Sequence, residues 1–292
     1  KEVMAQRGAF DGVDAAMMVH PAGTDMVTMP CIAASWAEVA YRGKTAHAAA
    51  MPQRGVNALD ALVTAYQAVA QLRQQIKGTD RMHAMIIEGG QAINIIHERA
   101  VGLFGARSAD MQGLAKLKAR MNGCFQAGAI ASGCEVEITW DRVDFVQLKT
   151  NWPMAEAYQA NAEMLGREFI SPEVFPAGAA GSTDMGNISH RVPSIHPMIA
   201  AAPPNVVIHN PEFTKWAKSE KGDKAAIDGA KALAMTALDY LTNEQLRVQA
   251  KAEFESSEED SRFAVEHAWN PKGDSILAKN IGTGIGCGCG AC

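Results

Sequence analysis

The sequence is poor in aromatic residues, has no excess of basic charge and contains no long apolar run. Aromatic side chains make up only 6% of the 292 residues, which favours helices packed on sheets over an all-β sandwich. There are 27 Lys and Arg against 32 Asp and Glu, and this mildly acidic balance argues against a nucleic-acid partner. No apolar run approaches the roughly 18 residues that a membrane-spanning helix needs, so we expect a soluble protein that does not bind membranes.

The beginning of the sequence and its cysteines lead to expectations about processing and compartment. The sequence opens with Lys1 rather than methionine and shows no signal peptide, so we expect a fragment or a processed product. Three of the six cysteines, Cys31, Cys124 and Cys134, lie among apolar residues and are interpreted as buried free thiols. Because no secretory signal is visible, a reducing compartment is favoured, and we expect the cytoplasm.

The middle of the chain has the clearest secondary-structure pattern. Strands are predicted at 32–42, 83–88, 99–107 and 134–140, and helices at 56–77 and 109–132. This β-α-β-β-α-β order predicts a ferredoxin-like domain over residues 31–148, with four antiparallel strands and two helices. The strand at 83–88 is apolar, poor in charge and placed at an edge of that sheet. We therefore expect two copies of the chain to pair there as a homodimer.

The flanking segments predict a second, discontinuous domain of α/β class. Residues 1–30 and 149–245 contain an apolar strand from Val13 to His20 and a strong helix from Ala225 to Leu241. Residues 246–292 are interpreted as a low-complexity C-terminal tail, because they end in a run of Gly and Cys and lack the apolar content of a core.

Two of the eight histidines stand where a metal ligand could lie. His20 follows the apolar strand just before Pro21, and His209 lies between an apolar stretch and a predicted helix. A neutral imidazole is a suitable zinc ligand. The alternative is a hydrogen-bonded structural histidine, and the sequence leaves both interpretations open.

Several motifs, taken in order, resemble those of the M20 metallopeptidases. Residues 43–52 (GKTAHAAAMP) and 55–61 (GVNALDA) resemble the signature of that family's lid domain, and 89–96 (GGQAINII) resembles its strand-turn motif. Residues 182–189 followed by 192–197 resemble the loop that precedes the family's last catalytic strand, and 231–239 (KALAMTALD) resembles its closing helix. The resemblance covers about 10–242 and is closest to the dipeptidase-like group of the amidohydrolase branch.

The resemblance implies a catalytic domain interrupted by a lid and dimerisation domain, with two metal ions, usually zinc and in some cases manganese. On this basis His20 and His209 match metal ligands, and His47 matches a lid histidine that stabilises the oxyanion in the partner subunit. Asn94 and Arg107 match lid positions that bind the substrate. The implied substrates are dipeptides or N-acyl amino acids.

The sequence also departs from the family pattern. The family's remaining metal ligands and its paired glutamates, which supply the general base, lie upstream of the position equivalent to Lys1. The ligand set is therefore incomplete here, and we expect this chain alone to be inactive. The alternative interpretation is a non-catalytic dimerising fragment or pseudoenzyme that retains the lid and part of the catalytic domain.

Overall fold

The chain folds into two units, and each unit is built from more than one segment of the sequence. The computed structural model describes residues 1–174 and 181–276. Lys1–Ile32 and Phe145–Ala268 form one unit, named here the discontinuous unit, and Ala33–Asp144 together with the segment from Trp269 forms the inserted unit. The Gly- and Cys-rich end of the predicted tail, residues 287–292, lies outside the described residues.

The described residues contain short and long strands and nine α-helices. The strands are β1 Ala16–Met17, β2 His20–Ala22, β3 Ala33–Arg42, β4 Arg81–Glu88, β5 Arg99–Ser108, β6 Glu135–Trp140, β7 Ser194–Ile195 and β8 Met198–Ala200. The α-helices are α1 Glu2–Ala5, α2 Ala58–Leu72, α3 Met111–Ser132, α4 Trp152–Met164, α5 Met185–Ser189, α6 Pro211–Ala217, α7 Glu220–Thr242, α8 Glu244–Glu255 and α9 Glu258–His267. None of these helices is both long and apolar enough to cross a bilayer.

The inserted unit has one four-stranded antiparallel sheet in the order β4-β5-β3-β6. Helices α2 and α3 pack on each other and on this sheet. The predicted β-α-β-β-α-β order is confirmed, and β4 is an edge strand within the described part of the chain. The mixed α/β class predicted from the sequence is likewise confirmed.

The two helices of the inserted unit form where local sequence signals place them. Asn57 accepts a hydrogen bond from the Leu59 amide at the start of α2, and Asp110 accepts one from Gly113 at the start of α3. Gly133 ends α3 with a φ of 73°, a conformation that suits glycine. A Cβ on Gly128 would lie 2.4 Å from the Ala61 carbonyl oxygen, so the close approach of the two helices requires a glycine there.

The discontinuous unit contains two short parallel ladders, β1 with β7 and β2 with β8. The predicted single strand from Val13 to His20 is therefore wrong, and His20 begins β2 instead of ending a strand. Pro197 lies between β7 and β8 and has no backbone N–H to donate, so the ladder is interrupted there. The His20 amide still donates to the Pro197 carbonyl at 2.9 Å, which holds the start of β2 in place.

The predicted tail from residue 246 is wrong for the part that the structure describes. Helices α8 and α9 occupy most of 244–267, with Leu246, Ala250 and Ala264 buried. Ala250 belongs to the same apolar cluster as Tyr158 of α4. Small alanine side chains pack closely without the large apolar residues that mark a core in a sequence, which explains the error.

Candidate metal and substrate site

Three histidine side chains from distant parts of the sequence come together in the discontinuous unit. The ring centroids of His20 and His209 are 6.3 Å apart, and those of His20 and His196 are 5.7 Å apart. We call these residues the histidine cluster. Two of its members were predicted as metal ligands, and the structure places them next to each other.

His20 is prepared for binding through one ring nitrogen. Its Nδ1 lies 2.8 Å from the Pro21 carbonyl oxygen, which can only accept, so Nδ1 carries the proton and Nε2 has a free lone pair. A backbone carbonyl that fixes the tautomer in this way is typical of metal-binding histidines. Burial lowers the pKa of His20, and the nearby His209 lowers it further, although the bond to Pro21 opposes both. The lowered pKa favours the neutral imidazole, which is the form that binds a metal.

His209 has an unusual backbone conformation. Its φ is 60°, a left-handed value that costs a non-glycine residue roughly 1–2 kcal/mol. It directly precedes Asn210, whose side chain accepts a hydrogen bond from the Glu212 amide at 2.9 Å and begins α6. Backbone strain of this kind is concentrated at functional sites.

His196 is the member of the cluster that sequence reasoning missed. It is only 3% exposed, and its Nε2 is buried with no hydrogen-bond partner among the described residues. Leaving such a polar atom unpaired costs about 1–3 kcal/mol. Burial, followed by the charges of His20 and Lys1, lowers the pKa of His196 to about 4. His196 lies near His20 because strands that are distant in the sequence pair with each other. In the sequence itself, the one feature that could have pointed to His196 is its position in the apolar run after β7.

The cluster fits a zinc site in chemistry but not in number of ligands. Neutral imidazoles are ordinary zinc ligands, and a catalytic zinc takes about three protein ligands and one open position. Among residues 1–174 and 181–276, no group of three or more His, Cys, Asp or Glu side chains is arranged to hold a metal ion. The two imidazoles of His20 and His209 are therefore fewer ligands than such a site needs.

The two predicted lid residues His47 and Asn94 lie on neighbouring loops of the inserted unit. The amides of Ala49 and Ala50 point to His47 Nδ1 at 3.2 and 3.1 Å, so Nδ1 accepts and the proton resides on Nε2. The Ala48 amide donates to the Asn94 carbonyl at 3.0 Å, which links the two loops. His47 therefore presents an N–H donor, the group that stabilisation of an oxyanion needs.

Arg107 lies at the other end of the same sheet. It pairs with Arg81 and Ala34 near the end of β5, and its guanidinium carbon is 5.7 Å from the centre of the Trp36 ring. The loops with His47 and Asn94 join the sheet at the opposite end of β5, where the Gly43 amide bonds to the Glu98 carbonyl. Because β5 is 10 residues long, its two ends are about 30 Å apart.

Comparison with known proteins agrees with this architecture. Residues 33–133 match the M20 family described as "Peptidase dimerisation domain". The chain is 38% identical over 251 residues to a mouse Xaa-Arg dipeptidase, covering 86% of this chain and 58% of that protein. It is 36% identical over 260 residues to the human Xaa-Arg dipeptidase, covering 89% and 59%.

A solved structure with the same fold is an aminobenzoyl-glutamate utilization protein from Klebsiella pneumoniae. Its TM-score is 0.63 at 17% identity, over 82% of this chain and 58% of that one, a likeness that shows the fold alone. The sequence matches identify the chain as a protein with an M20-type dimerisation domain, and the resemblance seen in its motifs is confirmed. Over residues 33–133 the chain is similar to the M20 peptidase dimerisation domain, and over most of its length it is similar to these two Xaa-Arg dipeptidases. It spans less than two thirds of the length of the mouse and human relatives.

Proposed function

We propose that this chain carries part of the machinery of a metal-dependent amide hydrolase that acts on dipeptides or N-acyl amino acids. The observation that carries the proposal is the approach of His20 to His209, with the His20 Nδ1 bonded to the Pro21 carbonyl so that Nε2 is the nitrogen left to bind a ligand. The mouse relative is named a dipeptidase, which supports a peptide substrate.

In this proposal His20 and His209 bind zinc, and manganese is the alternative metal. Zinc, when bound, polarises the amide carbonyl of the substrate as a Lewis acid. The residues of this chain supply position and charge around that carbonyl. His47 donates its Nε2–H to the developing oxyanion, Asn94 holds the substrate, and Arg107 binds a carboxylate through its two-pronged guanidinium.

The proposal requires a homodimer, because the substrate-binding residues are divided between the two ends of one sheet. The roughly 30 Å that separates the ends of β5 is far longer than a dipeptide. One copy of the inserted unit therefore cannot bring both His47 and Arg107 to the same substrate molecule. A second copy that supplies His47 and Asn94 solves this difficulty.

The chain by itself is proposed to be inactive as a hydrolase. Two imidazoles do not complete a zinc site, and the described residues offer no third ligand arranged with them. The same observation supports the second candidate, a non-catalytic dimerising protein. Three described cysteines, Cys31, Cys124 and Cys134, are free thiols, which supports the cytoplasm as the proposed location.

Zinc binding by the purified chain tests the proposal. The experiment uses a variant with serine at Cys287, Cys289 and Cys292, so that terminal thiols cannot bind the metal. We expect His20→Ala and His209→Ala each to weaken zinc binding at least tenfold in calorimetry. His83→Ala, an exposed histidine of β4, is the matched control and is expected to leave the affinity within twofold. Equal affinity in all four proteins would refute the proposed metal site.

Hydrolysis assays separate the two candidates. With zinc or manganese added, the 292-residue chain is expected to cleave Xaa-Arg dipeptides and N-acyl amino acids no faster than buffer. Turnover that a chelator abolishes would show that the proposed inactivity is wrong. Zinc binding that depends on neither His20 nor His209, together with no turnover, would favour the non-catalytic dimerising protein.

A further inference from the structure

A cavity of about 210 Å³ borders the two loops of the inserted unit that carry His47 and Asn94. Thr45, two residues before His47, lines it from one loop, and Ala92 and Ile95 line it on either side of Asn94 in the other. This volume is below the roughly 300 Å³ at which pockets begin to hold a whole small molecule, so it suits one part of a ligand. The cavity lies beside the residues that are proposed to bind the substrate.

The charged groups that line this cavity are unequal in number. Glu88 and Glu98 supply two carboxylates, and Arg99 supplies a single guanidinium. Glu88 and Arg99 form an ion pair with each other. The Glu98 carboxylate makes no hydrogen bond or ion pair with any residue that the structure describes. The lining therefore has an excess negative charge, and Glu98 is the residue that supplies it.

The uncharged lining groups suit a long side chain that ends in hydrogen-bond donors. Thr45 and Gln91 add a hydroxyl and an amide, and each of these groups can accept a hydrogen bond. Ile95 and Ile96 add apolar surface, along which the methylene stem of arginine or lysine packs well. A guanidinium has five N–H donors and no acceptor, and it binds carboxylates strongly. The cavity thus fits a cationic side chain better than an acidic one.

We propose that this cavity binds the cationic side chain of a dipeptide, and that Glu98 is the residue that selects for its charge. The inference rests on the proposed function for the substrate class, names the side chain of that substrate and requires no bound metal. In this arrangement Asn94 holds the peptide, and the cavity next to it receives the side chain. The mouse and human relatives are named Xaa-Arg dipeptidases, which supports arginine as that side chain.

Binding of alanyl-arginine and of alanyl-citrulline to the 292-residue chain tests this inference. Citrulline has nearly the same shape as arginine and no charge. Calorimetry in EDTA excludes any contribution from a metal ion. We expect alanyl-arginine to bind at least tenfold more tightly than alanyl-citrulline, because only the charged peptide forms an ion pair with Glu98. Equal affinity for the two peptides, or no binding of alanyl-arginine, would overturn the inference.

Glu98→Gln removes the charge and keeps the size of the side chain. It is expected to reduce the preference for alanyl-arginine to less than threefold. Glu135→Gln is the matched control, because it makes the same change at an exposed position of β6 that does not line the cavity. This control is expected to keep the full preference. A preference that survives in Glu98→Gln, or that falls equally in both variants, would contradict the role of Glu98.

Ala92→Leu tests the cavity itself, because the larger side chain occupies its volume without changing its charge. We expect this variant to bind alanyl-arginine at least fivefold more weakly than the wild type. Ala131→Leu, the same change at an exposed position of α3, is expected to bind it normally. Unchanged affinity in Ala92→Leu would mean that the peptide binds elsewhere, and the inference would fail.

These results are distinguishable from failure of the proposed metal site. Zinc affinity that depends on neither His20 nor His209, with the arginine preference intact, would refute the metal site and leave this inference standing. Loss of the arginine preference, with zinc binding that depends on both histidines, would overturn this inference alone.

Discussion

At the scale of single residues, the surroundings of a side chain decide what it can do. Burial lowers the pKa of both His190 and His196 to about 4, yet His190 has two bonded ring nitrogens, whereas His196 has a buried nitrogen with no partner among the described residues. The sequence motifs pointed to His20 and His209 as candidate metal ligands, but they did not point to His196 as a neighbour of these two residues. Its nearness to them depends on the pairing of β7 and β8 with distant strands, which no local spacing encodes.

Asp141 of the inserted unit leads to a prediction about pH. Burial raises its pKa to about 7; the Trp36 and Ile276 amides and Lys118 act in the opposite direction, and Asp144 adds to the rise. The folded chain therefore holds the Asp141 proton more tightly than the unfolded chain does. The resulting stabilisation is complete below about pH 4 and is lost as the pH rises through about 7.

Asp141→Asn is expected to remove this dependence. Relative to the wild type, the variant should gain stability steadily from pH 4 to pH 7, by at most about 4 kcal/mol. Urea unfolding of both proteins at unit steps from pH 4 to pH 8 provides the comparison. Parallel stability curves across that range would show that Asp141 does not titrate as described.

At the scale of elements, the sequence predicted the parts that are long, periodic and capped. Helices α2 and α3 have 15 and 22 residues, are capped at their N-termini by Asn57 and Asp110, and repeat apolar positions at helical spacing. The sequence failed for α8 and α9, whose buried positions are few and mostly small. It also failed at β1 and β2, because strands of two and three residues depend on their partners and on the interruption at Pro197.

The edge strand β4 leads to a prediction about how two copies of the chain form a dimer. Met85 and Ile86 of β4 are both 43% exposed, although both are apolar, and unpaired edges of this kind invite a second strand. We expect the chain to sediment as a dimer at micromolar concentration. Met85→Lys should raise the dissociation constant at least tenfold, because a charge on an edge strand opposes pairing.

Val248→Lys is the matched control for this assembly, because it places the same charge on an exposed apolar position of α8 in the other unit. It is expected to sediment like the wild type. A wild-type chain that stays monomeric, or equal dimerisation by both lysine variants, would contradict pairing through β4.

At the scale of the whole molecule, the chain passes between the two units three times within the residues that the structure describes, and the third passage has its own bonding pattern. After Ala268 the chain returns to the inserted unit, where the segment Trp269–Ile276, named here the strap, lies along Trp140–Val143. The Arg142 amide donates to the Asp274 carbonyl at 2.8 Å, and the Asn270 amide donates to the Arg142 carbonyl at 2.8 Å. The strap is therefore a part of the inserted unit that the sequence motifs did not indicate.

The strap should stabilise the inserted unit selectively. Its hydrogen bonds contribute about 1 kcal/mol each, and burial of Ile276, which is 2% exposed, contributes roughly 2 kcal/mol more. Deleting residues 269–292 is therefore expected to lower the melting temperature of the inserted unit by roughly 15 °C or more and to leave that of the discontinuous unit in place. Deleting only 277–292 keeps every one of these bonds and is the matched control. Calorimetry that shows the same melting profile for both deletions would mean that the strap, although bonded to the inserted unit, does not stabilise it.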